Sequence, residues 1–360
     1  MGGIIIGNNF VIVDKSYLSY DGLWIIRRGS EVILIMSNKV VTTRKTWIDW
    51  IRALAIILVV YGHQMRGVSD YFLFTSPVKM PLFFAISGYL FNMRTGNSRL
   101  FFHNIFWKLV LPWFCLALIP GIPKIFITHT SFFLFLWNVI SGKILWFMPC
   151  LLIGEVIHFY IRKIGKNDFY IISFSLVSCI LGFIAHFYEI LDFAMINRAL
   201  IVQMFFLIGY LYKEYEGKLL KIKWRWIVFL VVTYFTGCFL CKLFFLHTSF
   251  DVHMNRYFNI PLCFMLIYIG CFSIFLISSK ANLKSRVMNY IGMNTLLIYA
   301  WHPYPVAAFK YTLILMGLSI SNVWIRASFI TLFSIAFCCV CSIFVNKYFP
   351  LIVGKKKKRI

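Results

Sequence analysis

Residues 47–65 read WIDWIRALAIILVVYGHQM. Between Arg52 and His63 stand only Ala, Leu, Ile, Val, Tyr and Gly, the composition of a helix surrounded by hydrocarbon. Eleven residues separate the two, close to three turns, so both side chains fall on nearly one face, roughly 16 Å apart along the axis. With Arg52 at one interface, His63 lies about half-way across a ~30 Å hydrocarbon core. An ionisable side chain at that depth is costly; it serves either as polar glue between helices or in chemistry. The stretch by itself leaves both readings open.

The rest of the chain is of the same character. Of 360 residues, 61% are hydrophobic, 19% aromatic and only 13% charged, and the mean hydropathy is +0.82. Several apolar runs reach the ~20 residues of a spanning helix. The expected fold is therefore an all-α, polytopic integral membrane bundle, not the two or three soluble domains that length alone suggests. No small-residue cleavage pattern follows His63, so the first helix is expected to remain as an anchor. The formal charge of +24 does not point to nucleic acid, because the bases cluster in short loops between apolar runs. The ten cysteines lie almost entirely within those runs. Cys238 and Cys241, and the group Cys338, Cys339 and Cys341, have no histidine at zinc-ligand spacing, so they read as small packing residues and no metal site is expected.

Three regions are expected. Residues 1–45 are an extension of short β-like runs, IIIGNNFVIVD and GLWIIRRGSEVILIM, with Met36 an alternative start. Residues 46–347 hold about ten spans, near 47–65, 77–93, 101–120, 144–161, 169–187, 198–212, 226–246, 257–279, 288–311 and 323–346. Residues 348–360 are a basic tail, expected to do no more than hold the last helix to anionic headgroups. Ten spans put both termini on one side. That side carries Arg44, Lys45, Arg94, Arg99, Arg162, Lys163, Lys166, the 213–225 cluster, Lys280, Lys284, Arg286 and the terminal lysines. The opposite loops carry only Arg66, Lys79, Lys124, Lys143, Arg198 and Arg256, with Asp70, Glu189, Asp192 and Asp251. The positive-inside rule makes both termini cytoplasmic and the protein multi-pass in a plasma (inner) membrane.

Polar groups within the spans form a short roster: His63, Ser87, His103, Lys108, Glu155 and His302, with Arg52 at the interface. Both His63 and His302 tend toward the outer half. Arg52, Arg94, Arg99 and Lys108 lie toward the cytoplasmic mouth, where they either hold a phosphorylated ligand or simply mark topology. Glu155 counters Lys108 or a histidine, as a structural ion pair or a catalytic group. Tyr71, Phe72, Trp137, Trp301 and Tyr304 at the outer ends either stack on sugars or form an interfacial belt.

Four motifs in order carry a resemblance. RALAIILVVYGH (52–63) is similar to the Arg-x10-His signature of the membrane-bound acyltransferase-3 family, and MPLFFAISGY (80–89) to its phenylalanine-rich second helix. LWFMPCLL (145–152) resembles its Trp-Phe-Leu helix, and YIGMNTLLIYAWHPY (290–304) its penultimate helix with Tyr-x-x-His. The resemblance covers roughly residues 46–347 and looks closest to the fucose 4-O-acetylase-like branch. It implies an O-acyltransferase that moves an acyl group, usually acetyl, from cytoplasmic acetyl-CoA to a hydroxyl of a surface or exported glycan such as an O-antigen or exopolysaccharide. It further implies that His63 is the essential base or acyl carrier and Arg52 its partner, with His302, Ser87 and Glu155 in the catalytic set. Lys108, Arg99, His103 and Arg94 would hold the donor. One departure stands out. Many members carry an Arg-x-x-Arg pair before the proline of the third helix, whereas HNIFWKLVLP (103–112) keeps Lys108 but has Ile105 at the other position. Lysine is a point charge and lacks arginine's bidentate grip on phosphate. The rival reading is a transporter or flippase for a lipid-linked sugar or acyl compound; the sequence shows no internal duplication of the kind transporters often carry.

Overall fold

The computed structural model describes residues 44–91, 98–129, 131–165, 167–244, 250–257, 259–317 and 320–355, and the backbone of five strands within residues 2–36. It divides into two compact units, Met1–Lys45 and Thr46–Ile360. In the first, the Ile- and Val-rich runs pair as antiparallel strands. β1 (Gly2–Ile6) lies against β2 (Asn9–Val13), and β3 (Ser19–Tyr20), β4 (Leu23–Arg28) and β5 (Glu31–Met36) form a three-stranded sheet in that order.

The second unit is helical apart from the two-residue strands β6 (Phe250–Asp251) and β7 (Arg256–Tyr257). Its helices are α1 (Thr46–Gly62), α2 (Ser69–Lys79), α3 (Pro81–Leu90), α4 (Ser98–Ile105), α5 (Leu111–Thr128) and α6 (Phe132–Ile140). Then come α7 (Phe147–Ile164), α8 (Asp168–Phe187), α9 (Ile196–Ile201), α10 (Gln203–Leu219), α11 (Trp224–Phe244) and α12 (Ile260–Lys280). The chain finishes with α13 (Arg286–Met293), α14 (Thr295–Trp301), α15 (Pro303–Leu315) and α16 (Val323–Tyr348). Among the described residues five helices are long and apolar enough to cross a membrane, or six if α9 and α10, bent by 47°, count as one.

Three expectations are corrected. The second span does not begin near Pro77: helix starts at Ser69 and is interrupted at Met80, because Pro81 brings no N–H to continue the ladder. The ninth span is not one helix but three, broken at Asn294 and His302. The basic tail also does more than meet headgroups. Lys355 Nζ donates to Asn294 Oδ1 at 2.9 Å and to Asn346 Oδ1 at 2.8 Å, which ties the chain end to the first of those breaks.

Packing does not rely on the hydrophobic effect alone, since lipid tails are as apolar as the side chains they would release. α3 and α10 instead touch backbone to backbone. A Cβ on Gly209 would run into the carbonyl oxygen of Ala85 and the amide of Tyr89, and one on Gly88 into the carbonyl of Phe206. Beside this crossing Tyr89 donates to Glu216 Oε2 at 2.8 Å, and Trp47, Tyr89, Tyr212 and Phe275 pack ring against ring.

Between α8 and α9 the buried Arg198 organises the loops. Its guanidinium donates to Asp192, to Asn197 Oδ1 at 2.9 Å and to the His253 carbonyl at 2.6 Å. Arg198→Ala is expected to cost about 1–3 kcal/mol, because these acceptors lose a charged donor, and a lower melting temperature in detergent checks it. The same bond holds the Asp192 carboxyl below its usual range. A depressed carboxylate contributes stability above its unfolded value, ~3.9, and loses it as pH falls through the still lower folded value. The melting difference between wild type and Asp192→Asn should therefore be flat from pH 5 to 8 and close only in stronger acid.

Candidate active site

His302 occupies the break between α14 and α15, followed by Pro303. A continuous helix would bring the amide of residue 303 to the carbonyl of Tyr299, but proline has no N–H to give. His302 fills that vacancy with its own side chain: Nδ1 lies 2.9 Å from the Tyr299 carbonyl and 3.0 Å from that of Ile298. Both partners are acceptors only, so Nδ1 carries the proton, and in the neutral ring Nε2 is a bare lone pair. That Nε2 is buried and has no hydrogen-bond partner in the protein.

Opposite it stands His63. The helix α1 ends at Gly62, so His63 follows directly on its last residue and is exposed. The two imidazole rings lie 5.0 Å apart between centroids, tilted by 40°. The neighbours in sequence are also incomplete. Gln64 has both amide atoms buried and unbonded, and the indole Nε1 of Trp301 is buried without an acceptor. An unmet buried polar group costs about 1–3 kcal/mol, so the free His302 Nε2 against an exposed histidine marks a place for a polar ligand or water.

The remaining expected residues lie elsewhere. Arg52 does not reach the pair; its Nη1 is 3.5 Å from Oδ1 of the buried Asp49. No hydrogen bond joins Ser87 to either histidine among the described residues. Glu155 and Lys108 act on each other through their charges. Lys108 lies in a π-helical turn, Phe106–Val110, between α4 and α5, the kind of irregularity often found at functional sites. Ile105, where many relatives carry a base, points inward and is 6% exposed. Arg99 and His103 are exposed on α4, and His103 Nε2 accepts from Trp107 Nε1 at 3.2 Å. Arg94 lies outside the described residues.

A family model described as an acyltransferase domain matches residues 45–343. The chain belongs to the membrane-bound acyltransferase-3 family. Comparison with curated proteins and with solved structures finds no match. For this membrane acyltransferase the structure brings the four motifs together. The histidine of the first lies against the histidine of the last. The Phe147 amide of the third donates to Tyr299 Oη of the last at 3.2 Å, and the Phe147 ring packs on Phe83 and Phe84 of the second. The second motif also has a packing role, since its Gly88 seats α3 on α10.

Some groups of the acyltransferase are not apparent from sequence. Gln64 reads as the polar end of a helix, and Trp301 as an interfacial aromatic. His158 follows Glu155 by three residues on α7 and stands outside the roster of polar groups drawn from the spans. It is wholly buried between the rings of Phe91 and Phe206, 4.9 and 5.1 Å away, with neither ring nitrogen bonded. A histidine inside an apolar span is itself the signal that finds it.

Proposed function

We propose that this acyltransferase moves an acetyl group from cytoplasmic acetyl-CoA to a hydroxyl of a cell-surface or exported glycan, with His63 and His302 as its proton-handling pair. The observation that carries this reading is the 5.0 Å approach of the two rings, with the free Nε2 of His302 beside it. The proposed topology has ten crossings of a plasma (inner) membrane and cytoplasmic termini. Its short crossings are α1, α2 with α3, α7, and the broken α13–α15. The donor's phosphates are assigned to Lys108, Arg99, His103 and Arg94, with Glu155 positioning Lys108. Arg52 is assigned to the line between donor and histidine: roughly 16 Å at 1.5 Å per residue, an interval suited to the extended pantetheine arm.

In the chemistry proposed, an imidazole nitrogen of His63 takes the hydroxyl proton as the acceptor oxygen attacks the thioester carbonyl. The tetrahedral intermediate collapses, the carbon–sulfur bond breaks, and the proton passes to the departing thiolate. A two-step route, in which His63 carries the acetyl group as an acyl-imidazole before the hydroxyl attacks, uses the same groups. His302 Nε2 accepts a hydrogen bond from the ring N–H of His63, which orients that ring, while its own Nδ1–H stays on the backbone. Trp301 Nε1–H and the Gln64 amide are the unspent donors available to the developing oxyanion. Trp301→Phe is accordingly expected to lower the turnover by about 10²-fold with little change in the amount of folded protein, read by acetyl transfer per mole of monodisperse enzyme.

The test of the whole reading is transfer of label from radiolabelled acetyl-CoA into glycan by membranes containing the protein. It is paired with NMR of the surface polysaccharide after deletion of the gene. Loss of O-acetyl signals and of label supports it; unchanged acetylation in the deletion refutes it.

A further inference from the structure

Three cations from separate places in the chain act on the exposed histidine, and a fourth acts on one of the three. Arg66 follows His63 in the turn after α1, Lys79 ends α2, Lys310 belongs to α15 and Arg326 to the first turns of α16. Lys79 is the best located: its Nζ stands 3.5 Å from the point where a Cβ on Gly62 would lie, and 4.4 Å above the ring of Phe72. Arg66 and Lys310 act on His63 through their charges, and Arg326 and Arg66 on Lys310. Tyr61 Oη donates to the Trp324 carbonyl at 3.1 Å, which fastens the end of α1 to the start of α16 where Arg326 sits. Among the described residues none of the four forms an ion pair. One carboxylate, Asp251, acts on Lys79 from the β6–β7 hairpin. The neighbouring Asp70 is engaged by Lys242 at 2.6 Å.

Like charges gathered around one opening repel each other unless something of opposite sign completes them, and they raise the local concentration of anions. The opening also has aromatic faces: the exposed Trp324 lies 6.5 Å from Tyr61. Cations beside aromatic planes suit a ring-shaped ligand that bears a negative charge. Resting on the acyl-transfer reading above, we propose that the acceptor is an anionic glycan, whose carboxylate or phosphate is held by Arg66, Lys79, Lys310 and Arg326 while the adjacent hydroxyl meets His63.

The test uses the mixture of glycans that the cell itself supplies. Membranes from cells with and without the protein are given radiolabelled acetyl-CoA, and the labelled glycan is separated on an anion-exchange column. Protein-dependent label in the retained fraction is the expected result, and alkaline phosphatase or carboxyl reduction of that fraction then tells phosphate from carboxylate. Label confined to the unretained, neutral fraction overturns the proposal but leaves acyl transfer standing. No protein-dependent label at all overturns the acyl-transfer reading and the proposal with it. A second arm asks whether the donor's phosphates are what these cations hold. In Lys310→Gln/Arg326→Gln the KM for the anionic glycan should rise about tenfold or more, with the Kd of purified protein for acetyl-CoA unchanged. A matching loss of acetyl-CoA affinity, or no change in either quantity, overturns the assignment.

Discussion

His63→Ala is expected to abolish acyl transfer while leaving a folded protein in the membrane. The ring is exposed and lies against His302, so its removal opens no packed core. General-base catalysis contributes about 10²–10⁴-fold, and a nucleophilic role would make the loss complete. The variant to set beside it is His302→Asn. The Asn amide can still donate to the Tyr299 carbonyl, as Nδ1 does at 2.9 Å, but has no counterpart of the Nε2 lone pair. It should retain the elution profile of wild type in detergent and lose most of the activity. Full acetylation by His63→Ala would place the chemistry elsewhere. His302→Asn active and His63→Ala inactive would reduce His302 to a strut that holds the break open.

Gly209→Leu should have the largest effect on the fold. The side chain would meet not flexible neighbours but the backbone of α3, at the Ala85 carbonyl and the Tyr89 amide, so α3 and α10 must part. An ordinary overpacked core position costs about 1–3 kcal/mol; separating two helices loses more, including the Tyr89–Glu216 bond of 2.8 Å. Fluorescence-detected size-exclusion chromatography should show the monodisperse peak replaced by aggregate. Gly217→Leu is the control two turns further on, since a Cβ there meets nothing within 4 Å, and it should elute as wild type. An unchanged peak for Gly209→Leu would mean that α3 and α10 cross with room to spare.

Much of the fold was legible because its causes are local. α8, α11, α12 and α16 fall within a few residues of the expected 169–187, 226–246, 257–279 and 323–346, since length and apolarity decide a span residue by residue. The errors share one source: the breaks at Met80, Asn294 and His302 interrupt segments whose apolar composition continues straight through. Composition averages over a window, while a proline or a capped turn acts at one residue. Pro81 and Pro303 are visible in the sequence, yet a proline within a span can kink a helix or end it, and neighbouring helices decide which.

The candidate site divides in the same way. The histidines at 63 and 302, the arginine eleven residues before the first, and the order of the four motifs are all facts of sequence, and they suffice for membership of the family. Sequence by itself determined a helical membrane acyltransferase with a histidine at the end of its first helix. Only the tertiary structure decided that His302 faces that histidine and that Arg52 turns to Asp49 instead. It alone brought Lys79 Nζ beside Gly62 and fastened Tyr61 to the Trp324 carbonyl at the start of α16. The physical reason is range. A span is set by the transfer energy of its own residues, and the bonds of His302 Nδ1 are local too, whereas the meeting of His63 with His302, more than two hundred residues apart, exists only because packing brings the rings within 5.0 Å.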